Sequence, residues 1–176
     1  MAHAVLIPAA IAAMNVDSYN RSVSASAAVD NGWILTMGAE YTTGSLTEVF
    51  AVTPVSASGT GLWMAYSGDE IVVTDLRYKG LDPDPRNFFN AAGKVFSAYK
   101  PQVGDIIVVT ADAFTNSRTA ETYAAPSGAT FQLLWTGAQA ASGLCYKYIA
   151  TTYISLATGA IDSQRVTAYK LECVQI

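Results

Sequence analysis

The sequence predicts a mainly β protein: an antiparallel β-barrel or sandwich with one short helix and an extended apolar N-terminal arm. Three observations predict it. Short β-branched and aromatic runs recur between turn signals, as they do in all-β domains. A well-signalled helix occurs once, in the middle of the chain. The first fourteen residues, MAHAVLIPAAIAAM, form a single apolar stretch.

The arm is too short to span a bilayer, which takes about 20 residues, and Pro8 interrupts it. It lacks the positive start of a signal peptide, although Ala10-Ile11-Ala12 mimics a cleavage site, so secretion is the minority reading. Packing on its own core or on a neighbouring subunit is favoured, because an exposed run of this kind promotes aggregation. Asn15 to Gly32 is polar and Ser-rich and reads as a linker or loop, closed by an Asp30-Asn31-Gly32 turn. Residues 1–30 are therefore arm and linker. Residues 31–176 are the β-rich domain, with a weak subdivision near Pro126.

Strands are expected at Trp33–Met37, Glu48–Thr53, Leu62–Tyr66 and Ile71–Leu76. Asp84 as N-cap, Pro85 at the first helical position and Gly93 as a left-handed stop frame a helix of at most two turns, which must pack on a sheet. Lys94–Tyr99 is extended, Pro101–Asp105 turns, and Ile106–Thr110 (IIVVT) is the strongest strand signal. Ala111–Gly128 reads as polar and irregular, and Thr130–Trp135 as a strand. Leu144–Leu156 and Val166–Ile176 read as an antiparallel hairpin.

A chain of 176 residues fits one domain. At this length it buries roughly 70% of its extended surface, enough to fold without disulfides or metals. Charged residues make up 14% of it, against about 25% in an average soluble domain. Two readings of that poverty stand about even: a surface covered by partners, or a neutral hydroxyl-rich β surface. The net charge is −4 and the ten Lys and Arg residues are scattered singly. Direct nucleic-acid binding needs a concentrated basic face, so it is not expected.

No arrangement of residues looks catalytic. His3 is the sole histidine, and its place in the arm is a poor one for a base that must be held against a nucleophile. Cys145 and Cys173 lie on separate strand-like segments. A disulfide needs those strands to be neighbours of suitable geometry, and two half-buried thiols are the favoured reading. Two cysteines and one terminal histidine make no zinc site. Asp82, Asp84 and Asn87 offer oxygen ligands for calcium, but two prolines intervene and no closing Glu follows, so a turn with a cap is the better reading. No cofactor is expected. Asp69-Glu70 near Asp75 is the densest acidic pair and reads as a solvated corner. Trp33, Trp63, Tyr66 and Trp135 could form a sugar platform, but at strand spacing they are more often core or interface anchors. Gly59-Thr60-Gly61 lacks the rest of a phosphate loop, and Asn20-Arg21-Ser22 is only a formal glycosylation acceptor.

The segment Arg77–Phe114 carries a resemblance. Its order of Tyr78, Gly80, Leu81, Phe88, Asn90, Ala92, Gly93, Tyr99, Gly104, Asp105 and Ile106 resembles small head proteins of tailed bacteriophages, which decorate and stabilise the capsid shell. The match covers roughly a fifth to a quarter of the chain. The resemblance implies a structural protein of the virion, made in the host cytoplasm and bound to the outer capsid surface. It implies the major capsid protein and further copies of this chain as partners, and neither nucleic acid nor membrane. Val5, Leu6, Ile7, Ile11 and Met14 of the arm, with Tyr78, Leu81, Phe88 and Phe89 of the central segment, are the candidate contacts. The alternatives are a tail or head–tail component, or a carbohydrate-binding β-module.

Overall fold

The structure is a computed structural model that describes residues 3–42, 47–55, 61–67, 85–128, 130–158 and 162–176. The mainly β expectation holds. Six strands make one antiparallel sheet: β1 (Leu6–Ala10), β7 (Ile106–Thr110), β8 (Tyr123–Pro126), β9 (Leu133–Thr136), β10 (Cys145–Thr158) and β11 (Asp162–Gln175), in the order β1-β7-β11-β10-β8-β9. The other five close into a barrel: β2 (Asn20–Ala25), β3 (Ile34–Glu40), β4 (Val49–Pro54), β5 (Leu62–Ala65) and β6 (Val95–Tyr99), ordered β2-β4-β3-β5-β6. Closure rests on β2, which pairs parallel with β4 and antiparallel with β6. A parallel pair needs a crossover, and β3 supplies it.

One apolar core joins the two layers. Ile34, Val55, Leu62, Met64 and Tyr99 from the barrel side pack with Leu6, Ile107, Val109, Leu133, Trp135, Tyr146 and Leu171 of the sheet. A separate cluster fills the barrel, with Val23, Val29, Leu35, Val52 and Phe96 at its centre. The expected Asp30-Asn31-Gly32 turn sits at the joint between these layers. Gly32 has φ +86, and a Cβ there would meet Val109 Cγ2 at 3.0 Å. Its N–H donates to Ala65 O at 2.8 Å. Only glycine fits both demands at low cost.

The N-terminal segment packs on its own core, though as a strand of the sheet and not as a free arm. Leu6 pairs with Val109 and Ile7 with Val108, and the register shifts between Pro8 and Ala10. Pro8 is tolerated because β1 is the outermost strand. Three buried side chains pin the backbone around it. Asp30 Oδ2 accepts from Ala4 N at 3.0 Å, Thr110 Oγ1 from Val5 N at 3.0 Å, and Asp105 Oδ1 from Ala12 N at 2.8 Å. Residues 15–32, read as a linker, contain β2. NRSVSA looks polar, yet Val23, Ser24 and Ala25 turn inward.

The short helix expected after Asp84 is a single 3-10 turn, Pro85–Asn87. Phe88 and Phe89 leave it, because Asn90 is claimed elsewhere. Asn90 and Val29 exchange both backbone bonds at 2.9 Å, and Asn90 Nδ2 donates again to Val29 O at 2.9 Å. Tertiary pairing therefore overrides local helix propensity. Gly93 does adopt a positive φ of 72°, but in the turn before β6. Tyr123–Pro126, inside the segment read as irregular, forms β8, and Pro126 pairs with Leu133. The β10–β11 hairpin forms as expected. The expected strand at residues 71–76 lies outside the described residues.

Thr110→Val keeps the shape of a fully buried side chain but removes the acceptor for the Val5 N–H. We expect a loss of about 1–3 kcal/mol, the usual cost of stranding a buried donor, read as a lower urea midpoint at unchanged slope.

Candidate interaction surface

The pinned segment carries a second contact set at its start. His3 Nδ1 lies 2.8 Å from Asp30 Oδ1, and the carboxylate accepts. That bond selects the Nδ1–H tautomer when the ring is neutral. The imidazole stacks on Phe89 with centroids 4.8 Å apart, and His3 N donates to Arg86 O at 2.7 Å. The start of the chain and the central segment, the two stretches singled out for contact, thus meet at one place. The sequence marks His3 only as a poorly placed base and Asp30 only as a turn residue. Their 27-residue separation hides the pair from local reading.

The candidate contact residues divide by exposure. Ile7 is 43% exposed, Met14 58% and Phe89 42%. Phe88 is half-buried. Val5, Leu6 and Ile11 are buried and belong to the interior. This corrects their assignment as contacts: β1 pairs with β7, which turns Leu6 inward beside Val109. Val5 is covered by Ile154 and Ala168. Tyr78 and Leu81 lie outside the described residues, as do Asp69, Glu70, Asp75, Asp82 and Asp84.

The residue order of the central segment has a local structural use. Ser67 Oγ donates to Asn90 Oδ1 at 2.6 Å, and Asn31 Oδ1 accepts from Ser67 N at 3.0 Å. Asp105 caps its own turn by accepting from Gln102 N at 2.8 Å while it holds Ala12. Asn90, Gly93, Gly104 and Asp105 therefore fix backbone, and Phe89 is left to face outward.

A cleft of about 160 Å³ is lined by Phe114, Asn116, Ser117, Arg118, Trp135 and Tyr169 among others. Phe114 stacks on Trp135 at 4.4 Å, and Tyr169 meets Trp135 edge-on at 5.1 Å. The Arg118 guanidinium lies 3.6 Å over the Tyr148 ring, a cation–π distance. Trp135 is 3% exposed and Trp33 and Trp63 are half-buried, so they form no open sugar platform.

Comparison with known proteins finds no family model, no curated protein and no solved structure that matches this chain.

Among the described residues no cluster of three His, Cys, Asp or Glu side chains could hold a metal ion. None of their helices is long and apolar enough to cross a membrane. Cys145 and Cys173 are free and buried on neighbouring strands, where a register shift pairs Cys145 with Gln175 and Cys173 with Tyr146. Burial pushes the Cys145 thiol up, and burial, with Asp105 nearby, pushes Cys173 up to about 12. Burial also raises the Tyr99 and Tyr146 phenols.

These shifts set a pH dependence. An unfolded thiol ionises near 8.5 and an unfolded phenol near 10, while the folded groups hold their protons to higher pH. The unfolded state then binds fewer protons, so stability falls as pH rises. The contribution is whole below about pH 8.5 and declines as pH climbs towards the folded value of Cys173, about 12. A denaturant midpoint measured from pH 7 upward should fall above about pH 8.5, and thiol labelling should proceed only as fast as unfolding.

Proposed function

We propose that this protein is a structural component of a phage virion that binds the outer face of the capsid and stabilises the shell. The observation that carries the reading is the pairing of His3 and Phe89. It brings the apolar start of the chain against the segment that resembles head decoration proteins, and leaves Phe89 outward on a pinned backbone. A fixed apolar side chain loses little entropy on docking. Strand β1 also exposes Ile7, and the 3-10 turn that follows it exposes Met14. A surface with few charges loses little to desolvation when covered.

An interface of roughly 800 Å² per partner suffices for stable attachment. A capsid offers symmetric sites, so several copies of this chain would be bound together. The major capsid protein is the proposed partner, and the virion surface the proposed location. The protein acts here by contact and not by catalysis. A tail or head–tail position would use the same surface, and location on the particle separates the two.

The test is co-sedimentation with undecorated expanded phage heads. Because β1 belongs to the core, deletion of the N-terminal segment would confuse unfolding with lost binding. Single substitutions at exposed positions avoid this. Saturable binding in a fixed ratio to the shell subunit is expected, and Ile7→Asp, Met14→Asp or Phe89→Asp should weaken it about tenfold or more at a central contact, the effect of losing a buried anchor. Folded protein that does not bind heads would reject the reading. Full binding by all three variants would remove this surface from it.

A further inference from the structure

We propose that the cleft beside Trp135 binds a carboxylate-bearing sugar unit, with Arg118 gripping the carboxylate. This inference does not rest on the capsid-binding reading. The cleft measures about 160 Å³, well below the roughly 300 Å³ at which pockets for larger ligands begin. It therefore suits one ring, not a chain of them.

Arg118 decides the charge of the ligand. Its Nε donates to Glu121 O at 2.9 Å, and its guanidinium lies 3.6 Å over the Tyr148 ring. Those contacts restrain the fork. The Glu121 carboxylate accepts from the backbone N–H groups of Thr119 and Ala120, and those loop amides, with the Arg118 charge nearby, hold it ionised, below the usual carboxylate range. No carboxylate oxygen of the described residues lies within ion-pair distance of Arg118. A planar guanidinium whose Nη donors meet no carboxylate of the described residues is suited to two-point recognition of one.

The other walls decide the rest of the ligand. Ser117 and Tyr169 line the cleft with hydroxyl-bearing side chains, which favour a polyhydroxylated ligand over an aromatic acid. The walls are also preformed. Asn116 Oδ1 accepts from Trp135 N at 2.8 Å and its Nδ2 donates to Trp135 O at 3.3 Å, so one side chain clamps both backbone groups of the residue beneath. The stack of Phe114 on Trp135 holds the floor. Little ordering is then left to be done on binding.

The experiment is an amide-shift NMR titration of the full chain with sodium glucuronate, with glucose and sodium chloride at matched ionic strength as controls. Saturable shifts at Ser117 and Arg118 are expected with glucuronate alone, at a half-saturation on the order of 1 mM for a ligand of this size. Arg118→Gln should weaken binding about tenfold or more, the effect of losing a charge-assisted fork. If that variant unfolds, the comparison of glucuronate with glucose on the unaltered protein still decides. Equal shifts with glucose or chloride, no saturation by about 50 mM, or unchanged binding by folded Arg118→Gln would overturn the proposal.

Discussion

Three buried acceptors hold this fold together at its edge. Asp30, Thr110 and Asp105 come from a turn, a strand end and a second turn, and each receives a backbone N–H from the first twelve residues. All three are nearly solvent-free, at 6%, 0% and 3% exposure. A buried carboxylate without donors is costly, and so is a buried N–H without an acceptor. Each solves the other's problem only when the N-terminal strand lies on β7. This mutual need makes an apolar stretch with a proline in it take one position instead of many. Asp105 does so while closing the turn that starts β7, so the entry of that strand and the seat of β1 share one side chain.

The same bonds explain which parts of the surface can act. The chain beyond Asp30 and Thr110 is fixed, so Ile7 and Phe89 are displayed on a stiff support. The aromatic cleft is built on equally stiff ground, from β9, β10 and β11 with a loop folded across them. The protein thus exposes apolar side chains at Ile7, Met14 and Phe89 and carries a small recess beside Arg118.

Much of the β framework was legible in the residues. IIVVT at β7 and the long aromatic hairpin of β10 and β11 declare themselves, because β-branched runs with few polar breaks have little alternative. β2 was hidden: half of NRSVSA faces water, so its inward half is too short to show a period. The short helix was misread because capping residues speak only of local preference, and Asn90 is held by Val29, 61 residues away. The His3–Asp30 pair and the Arg118 cleft were invisible for the same reason. Arg118, Trp135, Tyr148 and Tyr169 come from four stretches, and only the sheet order brings them together. The apolar N-terminus was rightly seen as needing cover, but which of its residues stay outside depends on a register that the sequence alone does not state.

The pairing of β1 with β7 also has a bearing on synthesis. Leu6 meets Val109, so the first strand leaves the ribosome roughly a hundred residues before its partner exists, a wait of about 5–20 s at ordinary elongation rates. The barrel strands β2 to β6 are all made in that interval and can close among themselves. The leading strand is therefore the last piece of the barrel's neighbourhood to settle, and for those seconds its apolar residues are open to chaperones, to other nascent chains and to anything else that binds extended peptide.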